Sequence, residues 1–113
     1  MKLILDLTFI KSVCHDDQDF INEVLDTFLI EMPKDIAQMN QAVTDQDVVI
    51  IGRMAHKIKS TLQTLGLFEL KELALQIEQL AKVVPPDLSI LTLSKEFIKH
   101  MDGVYPNAKK LIC

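Results

Sequence analysis

One histidine, His56, begins a stretch of the chain whose residue types and spacing suit phosphate chemistry. Lys59 follows three residues later and Ser60 four residues later. Positions three and four apart share one face of an α-helix. A neutral imidazole is a nucleophile near pH 7, and an ammonium group one turn away can stabilise the oxygens of a phosphoryl group. The spacing therefore predicts that His56 accepts a phosphoryl group and that Lys59 stabilises its charge.

The phase of the helix predicted over residues 47–65 indicates whether a partner can reach His56. At ~100° per residue, five apolar residues gather between about 160° and 240° from His56. They form the predicted core stripe of this helix: Ile51, Met54, Ile58, Leu62 and Leu65. Four other residues lie within about 60° of His56, namely Gly52, Lys59, Ser60 and Gln63. The phase therefore predicts an exposed His56 opposite the core.

The neighbours of His56 favour contact with another protein. The residues one turn away on either side, Gly52 and Ser60, are small, so we expect open space beside the imidazole ring. Three cations lie nearby in a chain of net charge −4. From these neighbours we predict a docking surface for a partner protein, formed on this helix by Gly52, Arg53, Lys57, Ser60 and Gln63.

Composition excludes several classes of function. The 113 residues match a single domain, here residues 1–113, and 49% of them are apolar, which suffices for a continuous core. The negative net charge argues against nucleic-acid binding, which needs clustered Lys and Arg. No apolar run approaches the ~20 residues of a membrane helix. Two cysteines, Cys14 and Cys113, form neither a metal-binding spacing nor a disulfide framework, so we expect a cytoplasmic protein without a metal.

The spacing of apolar residues predicts a series of helices. A short helix within residues 5–14 is capped by Asp6, and one long helix, kinked before Pro33, covers roughly residues 17–44. Two separate helices meeting at Pro33 are the alternative. The central helix is predicted to end at Gly66, because a glycine readily adopts the left-handed backbone conformation that terminates a helix.

The second half of the chain continues this pattern. The next apolar repeat covers residues 67–84 and ends at Pro85-Pro86. A last helical stretch, which begins near Asp87, should bend or break at Gly103 and Pro106. Short loops between long amphipathic helices predict an all-α fold, an antiparallel up-and-down four-helix bundle with an additional short N-terminal helix. Antiparallel symmetry about Gly66 places Gln76 and Gln79 level with His56, as further docking candidates.

At these residues the chain resembles the histidine-containing phosphotransfer (HPt) domain of two-component phosphorelays. The family pattern has a histidine, a lysine at +3, a small residue at +4 and leucine-glycine at +9 and +10. Here these positions are His56, Lys59, Ser60, Leu65 and Gly66. The likeness extends back through the helix before Pro33 and covers most of the chain. Serine replaces the usual glycine at +4, from which we expect slightly altered transfer rates.

The resemblance implies the role of a carrier. His56 would accept a phosphoryl group from the aspartyl-phosphate of a receiver domain and pass it to the aspartate of another receiver. The Mg²⁺ would belong to the receiver, and the domain itself would need no cofactor and would have no kinase activity. We expect a stand-alone monomer that contacts receiver domains of a hybrid sensor kinase or a response regulator. The alternative is a degenerate, non-catalytic module that docks receivers without carrying phosphate.

An enzyme has no support in the sequence. There is no nucleotide-binding loop and no pair of nucleophile and base. A Glu-x-x-His pair of the kind that binds metals in helical bundles is also absent. The remaining histidines, His15 beside Cys14 and His100 beside Lys99, are interpreted as exposed bystanders.

Overall fold

The computed structural model describes residues 1–112, which contain six α-helices and no strand. The helices are α1 (Leu7–Val13), α2 (Gln18–Thr44), α3 (Val48–Thr64), α4 (Phe68–Leu80), α5 (Ser89–Asp102) and α6 (Tyr105–Lys110). The predicted all-α class is confirmed. None of these helices is both long enough and apolar enough to span a membrane. Cys113 lies outside the described residues, and Cys14 is buried.

The first three helices each begin after an aspartate that caps them. The carboxylates of Asp6, Asp17 and Asp47 each accept a hydrogen bond from a backbone N–H three residues later, at 3.0, 3.2 and 3.2 Å. An Ncap carboxylate satisfies one of the otherwise unpaired N–H groups of the first turn and suits the helix dipole. The helix starts predicted at Asp6 and Asp47 are therefore confirmed.

α2 is one continuous helix that passes through Pro33. The helix continues because its core-facing residues on either side of the proline, Met32 and Ile36, are both buried. Packing thus outweighs the backbone hydrogen bond that a proline removes. The prediction of one helix over residues 17–44 is confirmed. Near its start, Phe20 is 49% exposed.

The four long helices pack in a closed ring. α3 packs against α2 and α4, and α5 packs against the same two helices, while α6 contacts α2. Apolar side chains from all six helices and from Leu5 meet inside this ring. The predicted core stripe of α3 is confirmed, because each of its five apolar residues is at most 5% exposed.

The turn between α3 and α4 anchors α1. Gly66 has φ +72°, the left-handed conformation that glycine adopts without a steric penalty. A Cβ at Gly66 would lie 2.6 Å from the Cβ of Asp6. The N–H of Asp6 donates to the carbonyl of Leu65 at 3.3 Å, and the rings of Phe9 and Phe68 meet edge to face with centroids 5.1 Å apart. The turn at Gly66, predicted as a helix cap, is thus also the surface on which the start of α1 packs.

Two helix ends differ from the sequence prediction. α4 ends at Leu80 rather than at residue 84, because Val84 precedes a proline and is therefore biased away from helical backbone. Val84 is also 90% exposed, so no packing opposes that bias. The last stretch breaks at Gly103 as predicted, and a separate helix, α6, begins at Tyr105 with Pro106 in its first turn.

Candidate functional site

His56 lies on the exposed face of α3. Its side chain is 70% exposed, whereas Ala55 and Ile58 on the same helix are buried. The exposure predicted from the helical phase is confirmed. A partner can therefore reach the imidazole without any rearrangement of the core.

The Nδ1 atom of His56 is hydrogen-bonded to Oε2 of Glu78 on α4. An ionised carboxylate only accepts hydrogen bonds, so the proton of a neutral His56 ring lies on Nδ1. Nε2 then keeps its lone pair. The contact therefore selects the tautomer in which the lone pair of Nε2 is free, and it also restricts rotation of the ring.

The other oxygen of Glu78 binds Lys59. The Nζ of Lys59 donates to Oε1 of Glu78 at 2.7 Å, and the Glu78 side chain is only 10% exposed. This hydrogen bond lowers the pKa of the Glu78 carboxyl, burial opposes the shift, and the hydrogen bond from His56 lowers the pKa further. Glu78 therefore stays ionised near neutral pH and holds His56 and Lys59 together on one side of the site.

Lys57 forms a second ion pair, on the other side of α3. Its Nζ donates to Oδ1 of Asp35 on α2 at 2.8 Å. The hydrogen bond and the charge of Asp35 raise the pKa of Lys57. Asp35 itself is 8% exposed. Lys57, predicted as a docking residue, thus has a partner within the chain and links α3 to α2.

Gly52 differs from the prediction, because it is buried rather than open to a partner. A Cβ at Gly52 would lie 2.5 Å from the Cβ of Ala81, just after α4. The glycine therefore lets the end of α4 approach α3 closely. Phase alone placed Gly52 on the face of His56, but the neighbouring helix covers that edge of the face.

The other predicted docking residues on α3, Arg53, Ser60 and Gln63, are exposed. The hydroxyl of Ser60 donates to the carbonyl of Lys57 at 3.2 Å. Serine at this position thus directs its proton into its own helix, and its side chain remains small enough to leave the ring accessible.

Glu78 is the residue in contact with His56 and Lys59 that the sequence did not predict. Gln76 and Gln79 are both exposed, but the α4 residue that contacts His56 lies between them. The sequence does indicate that Glu78 lies at the edge of the apolar stripe of α4, because it follows Ile77 directly and Ala74 by four residues. A carboxylate at that position can face the neighbouring helix. Symmetry about Gly66 predicted the turn of α4 that lies beside His56, but not the residue that contacts it.

The remaining histidines lie apart from this site. His15 is exposed in the turn after α1, with φ +55°, as predicted, whereas His100, also predicted to be exposed, is half-buried near the end of α5. Within residues 1–112, no three or more His, Cys, Asp or Glu side chains are grouped so that they could hold a metal ion.

Residues 23–103 match the family model described as Hpt domain. The chain belongs to the Hpt-domain family. The matched range includes nearly all of α2, the whole of α3, α4 and α5, and every residue of the site described above. No curated protein and no solved structure matches the chain. Membership in the Hpt family confirms the predicted resemblance and implies a part in a two-component phosphorelay, in which Hpt domains interact with receiver domains.

Proposed function

We propose that this Hpt domain carries a phosphoryl group on Nε2 of His56. It receives the group from the aspartyl-phosphate of one receiver domain and passes it to the aspartate of another. The observation that carries this proposal is the hydrogen bond between Nδ1 of an exposed His56 and Glu78, because it leaves Nε2 as the free nucleophile.

The chemistry requires few groups from this chain. The Nε2 lone pair forms a bond to phosphorus while the bond from phosphorus to the carboxylate oxygen of the donor breaks, and the donor aspartate leaves as a carboxylate. Transfer to the second receiver is the reverse, with its aspartate as the nucleophile. Such transfers depend mainly on in-line positioning and on stabilisation of charge.

Glu78 and Lys59 supply that stabilisation in complementary ways. When Nε2 becomes bonded to phosphorus with Nδ1 still protonated, the ring is cationic, and the Glu78 carboxylate on Nδ1 offsets that charge. Lys59 is 25% exposed and donates one of its three N–H bonds to Glu78. The other two N–H bonds remain available to donate to phosphoryl oxygens. The Mg²⁺ of the reaction is expected on the receiver, and this chain acts as a carrier with no cofactor and no kinase activity of its own.

The fold expected for this role is an antiparallel up-and-down four-helix bundle with a short N-terminal helix. Contacts between α3 and the C-terminal end of α4 support the antiparallel direction of that pair, because the start of α3 lies beside the end of α4. Gly52 approaches Ala81, whereas His56 and Lys59 both bind Glu78. The small α6 is an addition to the expected bundle.

The proposal is tested by incubating the chain with a radiolabelled phospho-receiver. We expect a label that is stable in base and labile in acid, and we expect its loss in His56→Gln. A matched control is His100→Gln, which should keep the label. Labelling of His56→Gln would overturn the assignment, and receiver binding with no label on the wild-type chain would identify a docking module instead.

Lys59 is tested in the same assay. Lys59→Ala should lower the rate of transfer about fivefold, because a partly exposed charge contact contributes about 1 kcal/mol to the transition state. Lys59→Arg should keep part of the rate, since it keeps the positive charge. An unchanged rate in Lys59→Ala would remove this residue from the mechanism.

A further inference from the structure

A groove of about 320 Å³ opens beside His56 between α3 and the end of α4. Its apolar part includes Val49, which is 67% exposed, and Ala81, which packs on Gly52. Two cations also line it, Arg53 from α3 and Lys82 from the turn after α4. The groove thus combines an apolar surface with positive charge directly beside the predicted phosphoryl acceptor.

The cations around His56 divide into two classes. Lys57 and Lys59 are engaged in ion pairs with carboxylates of this chain, at 2.8 and 2.7 Å. Arg53 and Lys82 are exposed, and neither forms an ion pair with another residue in the described range 1–112. The positive charge that remains available to a partner on this side of His56 is therefore that of Arg53 and Lys82.

We propose that Arg53 and Lys82 form a cationic docking edge for the acidic surface that surrounds the phosphorylated aspartate of a receiver domain. The inference rests on the proposed function and extends it to the recognition of the partner. Charge complementarity favours this occupant. The aspartyl-phosphate and any carboxylates around it are anionic, and the chain as a whole, with net charge −4, repels such a surface. Because Arg53 and Lys82 are unpaired, they attract the anionic surface of the receiver to the face that carries His56.

The placement of the two residues also suits orientation of the partner. Arg53 is fixed on α3 one turn before His56, and Lys82 follows α4 one turn after Glu78. They come from the two elements that hold the His56–Glu78 pair. A receiver bound to both cations is therefore held in one position relative to Nε2, which is the requirement for in-line transfer.

The experiment measures the rate of transfer from a phosphorylated receiver to His56 as a function of receiver concentration and of salt. The variants are Arg53→Gln, Lys82→Gln and the double variant. The matched control is Lys95→Gln with Lys99→Gln, which removes two exposed charges from α5. We expect the half-saturating receiver concentration to rise about five- to tenfold in the double variant and less than twofold in the control, with a shallower dependence on salt in the double variant.

Three results would count against the inference. An unchanged half-saturating concentration and salt dependence in the double variant would overturn it. A fall in the maximal rate alone would also overturn it, because the cations would then act on the phosphoryl group rather than on the receiver. The inference would also be overturned if the double variant slowed phosphorylation of His56 by phosphoramidate, a small donor without a protein surface, as much as it slowed phosphorylation by the receiver.

Failure of the proposed function is distinguishable from failure of the inference. If no phospho-receiver labels the wild-type chain, then both are overturned. If the wild-type chain is labelled and the double variant behaves like the control, then only the docking edge is wrong. Circular dichroism of each variant checks that the helices are intact, which is expected because both side chains are exposed.

Discussion

Glu78 on α4 accepts a hydrogen bond from Nδ1 of His56 on α3, although 22 residues separate them in the chain. The same carboxylate binds Lys59. The nearly buried Glu78 thus sets both the tautomer of His56, the proposed nucleophile, and the position of the Lys59 ammonium group. The consequences of this arrangement can be measured.

Replacement of Glu78 should slow transfer by changing His56 rather than by disrupting the fold. In Glu78→Gln the side-chain oxygen can still accept from Nδ1, but the charge that offsets a cationic ring is lost. We expect a rate up to about tenfold lower than wild type, because a charge-assisted hydrogen bond contributes about 1 kcal/mol or more beyond a neutral one. The loss should be larger in Glu78→Ala, where the acceptor is also removed. Nitrogen NMR of the His56 ring should show the Nδ1–H tautomer in wild type and in Glu78→Gln, and a mixture in Glu78→Ala. A wild-type tautomer in Glu78→Ala would contradict the role assigned to Glu78.

The stability of the chain should depend on Glu78 at low pH. The folded-state pKa of this carboxyl lies below its ordinary value of 4.5, so in acid the unfolded chain binds the proton more readily than the folded chain. The stabilisation is therefore complete above about pH 5 and is lost as the pH falls through the folded pKa. Urea denaturation from pH 5 to pH 2.5 should show the free-energy difference between wild type and Glu78→Gln shrinking. A difference that grows in this range would have the wrong sign.

Gly52→Ala should destabilise the chain in spite of the better helix propensity of alanine. The new Cβ would lie 2.5 Å from the Cβ of Ala81, and neither atom can move without its backbone. Overpacking of about 1–3 kcal/mol exceeds the gain of ~1 kcal/mol from propensity. Displacement of α4 should also weaken the His56–Glu78 contact.

The control for that prediction is the pair Gly52→Ala with Ala81→Gly, which exchanges the two residues and removes the clash. A double-mutant cycle in urea should give a favourable coupling energy of about 1 kcal/mol or more between the two sites. Strictly additive effects would show that the close approach of the helices does not limit stability.

Gly66→Ala should be costly, whereas Gly103→Ala should not. Alanine at φ +72° is strained by about 1–2 kcal/mol, and its Cβ would lie 2.6 Å from the Cβ of Asp6. At Gly103 the nearest atom is Leu3 Cδ1 at 2.7 Å, the flexible end of a side chain that can move aside. We expect losses of unfolding free energy of about 2–3 kcal/mol and below about 1 kcal/mol, respectively. Equal losses would contradict the assigned role of the left-handed backbone.

Local rules were sufficient for most of the helices and for the face of His56. The aspartate caps, the apolar spacing and the glycine at Gly66 act over four or five residues, so their effects can be read without a fold. The phase of α3 depends only on the rotation per residue, and it placed His56 in solvent as the structure does. Local rules failed at the end of α4. The apolar spacing predicted a helix up to Val84, but α4 ends at Leu80 because Val84 precedes a proline and packs against nothing.

Only the tertiary structure decided which groups meet at His56. The sequence alone determined the exposed histidine with a lysine one turn later, because both residues belong to one helix. Their common partner, Glu78, is set by the register between α3 and α4. That register follows from the turn at Gly66, which joins the two helices, and from the close approach of Gly52 to Ala81, which are distant in sequence. The exposure of His56, the proposed nucleophile, is thus determined locally, whereas its tautomer and its charge environment arise from packing.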